Sequence, residues 1–136
     1  MVILSDRMSS KMKLSKNSSS ELDYLSTVLG LRRNIICRIA LGLSLNENNP
    51  PAIIDDDSMG QEFNKPTILG TDESMFSILT SQHYGKRISE EEMFSKYMRA
   101  EISFGIHLLY ERYKALNSPI QFFEELCDCR GEIIIG

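Results

Sequence analysis

The chain has 136 residues, 42% of them apolar and 25% charged, the size and hydrophobic content of one globular domain. No apolar run approaches the roughly 20 residues that a membrane span needs, and Met1-Val2-Ile3-Leu4 is followed at once by Ser5-Asp6-Arg7, so neither a membrane helix nor a secretory leader is predicted and the expected location is the cytoplasm. Cys37, Cys127 and Cys129 are too few and too unevenly spaced for a disulfide framework, and the net charge of −4 excludes a uniformly basic nucleic-acid binder.

That charge is unevenly distributed. Residues 1–38 carry seven basic side chains (Arg7, Lys11, Lys13, Lys16, Arg32, Arg33, Arg38) against three acidic ones, a balance of +4, whereas the other 98 residues hold 8 basic and 16 acidic side chains, a balance of −8. A positive N-terminal third on an acidic body grips a polyanion if folding gathers the cations on one face, because the local field steers association.

In chain order, residues 11–16 (Lys-Met-Lys-Leu-Ser-Lys) alternate polar and apolar and are a short strand candidate, with Met12 and Leu14 inward; an irregular lead-in to the first helix is the alternative. Ser18 and Glu21 form a capping-box pattern ahead of Leu22, Leu25, Val28 and Leu29, and Gly30 supplies the stop. A second helix is expected from about Arg33 to Leu45. Its Ile35, Ile36, Ile39, Ala40 and Leu43 are dense enough to need neighbours on several sides, which suggests a subunit interface. Asn46 to Pro51 ends it, and a loop is expected to about Thr71, pinned by Phe63 within Gly60-Gln61-Glu62-Phe63-Asn64.

A third helix is predicted with Thr71 as N-cap and Met75, Phe76 and Leu79 on one face, ending near Gly85. Ser89 and Glu92 open the longest helix, roughly 90–115, which carries Met93, Phe94, Tyr97, Met98, Ile102, Ile106, Leu109 and Tyr113. Ser118-Pro119 starts a short last helix through Leu126. Residues 1–10 and 130–136 read as flexible tails of a single 1–136 domain. The methionines Met12, Met75, Met93 and Met98, with Phe94, are assigned to core and subunit contacts. The expected class is therefore mainly α: a small, oligomeric helical domain with a ribbon-helix-helix-like start, in which strands paired between two subunits would enter the major groove.

More specific are the blocks Lys13-Leu14-Ser15-Lys16, Leu31 with Asn34 through Leu41, Ser44-Leu45-Asn46-Glu47, and Gly60 through Asn64. In this order, over about Met12 to Gly70, they resemble the DndE family of DNA sulfur modification (phosphorothioation) proteins, and the long helix after Ser89 also fits. Residues beyond about Ser118 match no family pattern. The resemblance implies a non-catalytic partner of cysteine-desulfurase, ATPase and sulfur-transferase-like proteins in a restriction-modification-like defence system. It further implies a tetramer that binds nicked double-stranded DNA through a lysine-rich surface. Lys11, Lys13 and Lys16 can supply that surface, backed by Arg32, Arg33 and Arg38. Family members often have Thr-Pro where this chain has Arg32-Arg33, a departure that adds charge and removes a helix-starting proline.

Alternatives remain beside several of these residues. The three lysines also fit a solvated edge. Arg38 fits an internal ion pair with Glu47 or Glu62 as well as it fits DNA contact, and Asn34 fits an N-cap. Cys127-Asp-Cys129 lacks the second pair that zinc needs, Cys37 reads as a small core residue, and His83 and His107 have no neighbouring carboxylate pair. Asp55-Asp56-Asp57 reads as a solvated loop more readily than as a magnesium site. No catalytic, cofactor or metal residue is predicted. The rival functions are a metal-dependent DNA nickase using Asp55, Asp56 or Glu62, and a scaffold subunit that touches only protein partners.

Overall fold

The computed structural model describes residues 10–116 and 119–135, with side chains described as far as Cys127. Strand β1 (Lys11–Lys13) and helices α1 (Lys16–Leu29) and α2 (Arg33–Leu45) come first, followed after an extended segment by strand β2 (Glu62–Asn64) and helices α3 (Lys65–Leu69) and α4 (Glu73–Tyr84). Glu90–Glu92, a π-helical turn at Met93–Met98 and Arg99–Leu116 then run on as one long helix, α5, and α6 (Pro119–Ile135) follows it. The mainly helical class with a short ribbon is as expected. None of the described helices is long and apolar enough to cross a membrane.

The alternation Lys-Met-Lys does make a strand, but its partner lies in the same chain. β1 pairs antiparallel with β2 in the register Lys11 to Asn64, Met12 to Phe63 and Lys13 to Glu62. This register turns Met12 and Phe63 into the core and leaves Lys11 and Lys13 exposed. The segment expected to be loop through Thr71 thus contains β2 and α3. Three-residue strands carry too little periodicity to announce themselves, and here pairing across about fifty positions supplies what local pattern lacks.

Helix α1 starts three residues earlier than its capping-box pattern predicts. Ser15, not Ser18, is the N-cap and accepts the Ser18 N–H at 3.1 Å. Glu21 is instead buried and turned toward α5, where it meets His107 Nδ1 at 2.9 Å. Gly30 ends the helix with φ +69°, the left-handed stop expected of it. For α2 the N-cap is Arg32, and Asn34 reaches the Thr67 carbonyl from inside the first turn.

The densest packing is α2 against α5. Ile36, Cys37, Ala40 and Leu41 of α2 and Ile102, Ile106 and Leu109 of α5 are each no more than 2% exposed. The apolar faces expected to seek a neighbouring subunit are therefore spent largely on each other. Met93, Phe94, Tyr97 and Met98 are all buried in the π turn, which also supports β1. Their i, i+1, i+4, i+5 spacing keeps all four on one side of the helix.

Helix α4 departs most from expectation. Its N-cap is Asp72 rather than Thr71, and Met75 is 49% exposed and Leu79 38%, so of the predicted face only Phe76 is buried. The helix docks along Phe76, Thr80 and His83, the last with only 7% of its side chain exposed. Two of these three residues are polar, so apolar periodicity pointed to the wrong edge. Helix α6 continues beyond the expected Leu126 to Ile135 and packs on α5 through Phe122, edge-on to Tyr113 at 5.8 Å. It includes residues 130–135; of the segments read as tails, residues 1–9 and 136 lie outside the described residues.

Candidate nucleic-acid interface

The ribbon holds Lys11 and Lys13 outward as consecutive exposed residues of one edge, with Lys16 exposed at the first turn of α1. The backbone beneath them is fixed by one residue that sequence patterns do not flag. Arg99 of α5 donates from Nε to the Lys13 carbonyl at 2.6 Å and from Nη2 to the Asp57 carbonyl at 2.9 Å, and its Nη1 pairs with Asp56 at 2.7 Å. Asp57 completes the ring by accepting the Lys16 N–H at 2.8 Å. The backbone of the lysine-bearing segment is thereby braced, while the side chains of Lys13 and Lys16 are exposed and that of Lys11, also exposed, lies 3.9 Å from Glu62. Arg99 lies 86 positions from Lys13, and no local signal could have found it.

The segment from Pro51 to Gly60 acts as a strap over this arrangement. Tyr84 anchors its start by donating to the Pro51 carbonyl at 2.8 Å, and burial, with Glu101 and Tyr97 nearby, pushes the Tyr84 phenol well above its usual range. At the other end Gly60 donates to the Leu14 carbonyl at 2.8 Å, and a Cβ at this position would overlap the Ser15 carbonyl oxygen. The acidic run is exposed, as a solvated loop would be, but Asp56 and Asp57 also hold the ribbon in place. Among the described residues no three His, Cys, Asp or Glu side chains converge as metal ligands.

The backbone amides of Lys16 and Met59 hold the Asp57 carboxyl below its usual value. A lowered native value means that the contact is complete above an aspartate's ordinary pKa of about 3.9 and is lost as pH falls through the native value. Asp57→Ala is accordingly expected to speed hydrogen exchange at the Lys16 amide at neutral pH. In the wild type the same amide should lose protection, relative to its intrinsic rate, only on acidification below about pH 4. Unchanged protection in the variant would mean that Asp57 does not hold this end of the strap.

The arginines lie elsewhere. Arg32 and Arg33 follow the C-terminal end of α1, about 20 Å along the helix axis from Lys16. Arg33 pairs with Asp23 at 2.6 Å across an exposed surface, and Arg32 is exposed. Arg38 is half-buried and donates to the Ile68 carbonyl at 2.7 Å. Neither acid expected to pair with it does so: Glu62 lies 3.9 Å from Lys11, and Glu47 offers its carbonyl to His83. The internal role is met by a backbone carbonyl at the end of α3, a partner that charge pattern cannot reveal.

Both histidines have carboxylate partners supplied from other helices. His83 faces Glu101 at 2.6 Å through Nδ1 and the Glu47 carbonyl at 2.8 Å through Nε2, while Ser44 donates to the other Glu101 oxygen at 2.6 Å. Glu101 is fully buried. The carboxylate sits between serine and histidine, which is not the order of a nucleophilic triad, where the imidazole must touch the hydroxyl. Cys37 is buried as expected of a core residue, and burial pushes its thiol up to about 12, which keeps it unreactive.

Comparison with known proteins identifies the fold and the family. The family model for DNA sulphur modification protein DndE matches residues 11–117. Among solved structures, the chain is similar to DndE from Escherichia coli B7A, involved in DNA phosphorothioation modification, at 22% identity and a TM-score of 0.62, covering 74% of this chain and 94% of that one. It is also similar to a DndE G21/24K mutant, involved in DNA phosphorothioation, at 20% identity and a TM-score of 0.60, covering 75% and 97%. No curated protein sequence gives a significant match. At these identities the solved structures establish the fold, and the family follows from the model that spans both strands and α1 through α5: the chain belongs to the DndE family of DNA sulphur modification proteins.

Proposed function

We propose that this chain is the non-catalytic, DNA-holding component of a cytoplasmic DNA phosphorothioation machinery, and that it binds double-stranded, nicked DNA through the lysine surface around Lys11, Lys13 and Lys16. Family membership makes DNA phosphorothioation the process. The observation that carries the finer reading is the braced ribbon, in which a buried Met12 sits between two outward lysines and Arg99 clamps the backbone that follows. Ammonium groups on such a frame neutralise phosphates without reading bases, so sequence choice lies with partner subunits, of ATPase and sulfur-transferase-like type. In a homotetramer, four copies of the lysine surface add their phosphate contacts. Met75 and Leu79 support subunit contact, since they leave exposed apolar side chains four positions apart on one face of α4.

The test is binding of intact and nicked duplex as a function of salt, for the wild type beside Lys13→Glu. The wild type is expected to bind with a steep negative salt dependence, and each phosphate ligand that the substitution removes is expected to lower the slope by about one. Wild-type protein that fails to bind either duplex at low salt would leave the scaffold role in its place.

A further inference from the structure

The lysine-bearing ribbon ends beside a second basic feature. Asn64 lies opposite Lys11 in the ladder, and the next residue, Lys65, donates its N–H to the Ser10 carbonyl at 2.7 Å. Lys65 then lines an open groove of about 800 Å³ formed by α4, the Gly85 turn and the start of α5. Lys86 and Arg87, both exposed, line the same groove. Two acids, Glu73 and Glu90, also line it, which leaves an excess of one positive charge. Glu73 is engaged with Lys65 at 3.4 Å, so Lys86 and Arg87 are the groove's outward cations.

Lys86 is positioned rather than loose. Its ammonium lies 4.8 Å over the ring of Tyr97, a residue buried in the π turn, and such a contact holds a cation in place without neutralising it. Along α4, Ser74, Ser77 and Ser81 recur at i, i+3 and i+7 and line the same groove with Gln82. Hydroxyl and amide donors in a row beside flexible cations suit a sugar-phosphate backbone, whose oxygens accept from these side-chain types.

We propose that this groove is a second phosphate-contact station for the same duplex, reached from the ribbon through Lys65, with Lys86 and Arg87 as phosphate ligands and the α4 serines as hydrogen-bond donors. This rests on the DNA-holding reading above. It extends the interface to residues 65–87, which the charge balance of the N-terminal third cannot reveal because they lie within the acidic part of the chain.

The experiment is a salt titration of duplex binding by the full chain, comparing wild type, Lys13→Glu, the double variant Lys86→Gln/Arg87→Gln, Arg87→Gln alone, and Lys114→Gln. Lys114 lies over Tyr110 near the far end of α5 and controls for a general change in charge. The double variant is expected to bind about tenfold or more weakly, with the salt slope lowered by about two, and Arg87→Gln to lower it by about one. Arg87→Gln leaves the Tyr97 contact intact, so its result stands even if loss of Lys86 perturbs the fold. Lys114→Gln is expected to match the wild type. A slope unchanged in Arg87→Gln and the double variant while Lys13→Glu weakens binding overturns the groove and leaves the ribbon reading in force. An equal loss in Lys114→Gln also overturns it. A wild type that does not bind duplex at all removes both readings together.

Discussion

Replacing Glu101 with alanine is expected to cost about 3–5 kcal/mol of folding stability, because it leaves two buried polar groups without their partner, at about 1–3 kcal/mol each, and a cavity beside them. The Glu101 side chain is fully buried, and it accepts from Ser44 and faces His83, each at 2.6 Å. Its removal leaves the buried Ser44 hydroxyl and the His83 Nδ1 without their partner, at the seam between α2, α4 and α5. A folded domain of this size is stable by only about 5–15 kcal/mol, so the loss is a large share of the total. With a urea dependence of about 2 kcal/mol per molar, the unfolding midpoint should fall by roughly 1.5–2.5 M. Glu101→Gln keeps the shape and one acceptor, and should lose less. A midpoint for Glu101→Ala within about 0.3 M of the wild type would mean that the network contributes little and that α4 is held by Phe76 instead.

The second large effect is expected at Gly105, where α2 and α5 approach so closely that a Cβ would overlap the carbonyl of Ala40. The obstructing atoms are backbone in the middle of a buried helix, so a new side chain can be accommodated only by moving the helices apart. Gly105→Val should therefore destabilise by about 3 kcal/mol or more, at or above the upper end of the overpacking range, and lower the melting temperature by about 10 °C or more. A matched change of opposite sign comes from Gly42 on α2, where a Cβ meets nothing within 4 Å. Gly42→Ala should stabilise by about 0.5–1 kcal/mol through helix propensity. If thermal melts moved both variants in the same direction and by similar amounts, the close crossing at Ala40 would not be what limits Gly105.

The two positions show how differently the fold and its details are encoded. Helices α1, α2 and α5 were legible because each presents several large apolar residues at helical spacing, and bulk hydrophobic burial is a local, additive signal. The strand at Lys11 to Lys13 was legible for the same reason at period two. Its partner was not, because pairing with Glu62 to Asn64 depends on the closure of a long segment and not on either short stretch alone. Helix α4 is rotated from its apolar stripe, since its buried face includes Thr80, whose hydroxyl donates back to the Phe76 carbonyl of the same helix, and His83, whose carboxylate partner arrives from α5.

Composition and order alone determined the mainly helical class, the positive N-terminal lead, the inward Met12 between outward lysines, and the blocks that mark the family. These depend on neighbours in sequence, and physics acts on them before any tertiary contact exists. Only the tertiary structure decided that Arg99 and Asp57 brace the lysine-bearing backbone, that Arg38 turns to Ile68, that Glu101 takes His83 and Ser44, and that Lys86 and Arg87 face a groove beside the ribbon. The reason is common to all four. A charged or polar side chain has many chemically equivalent partners along the chain, and which one it meets is set by the packing of apolar faces that carry no information about charge.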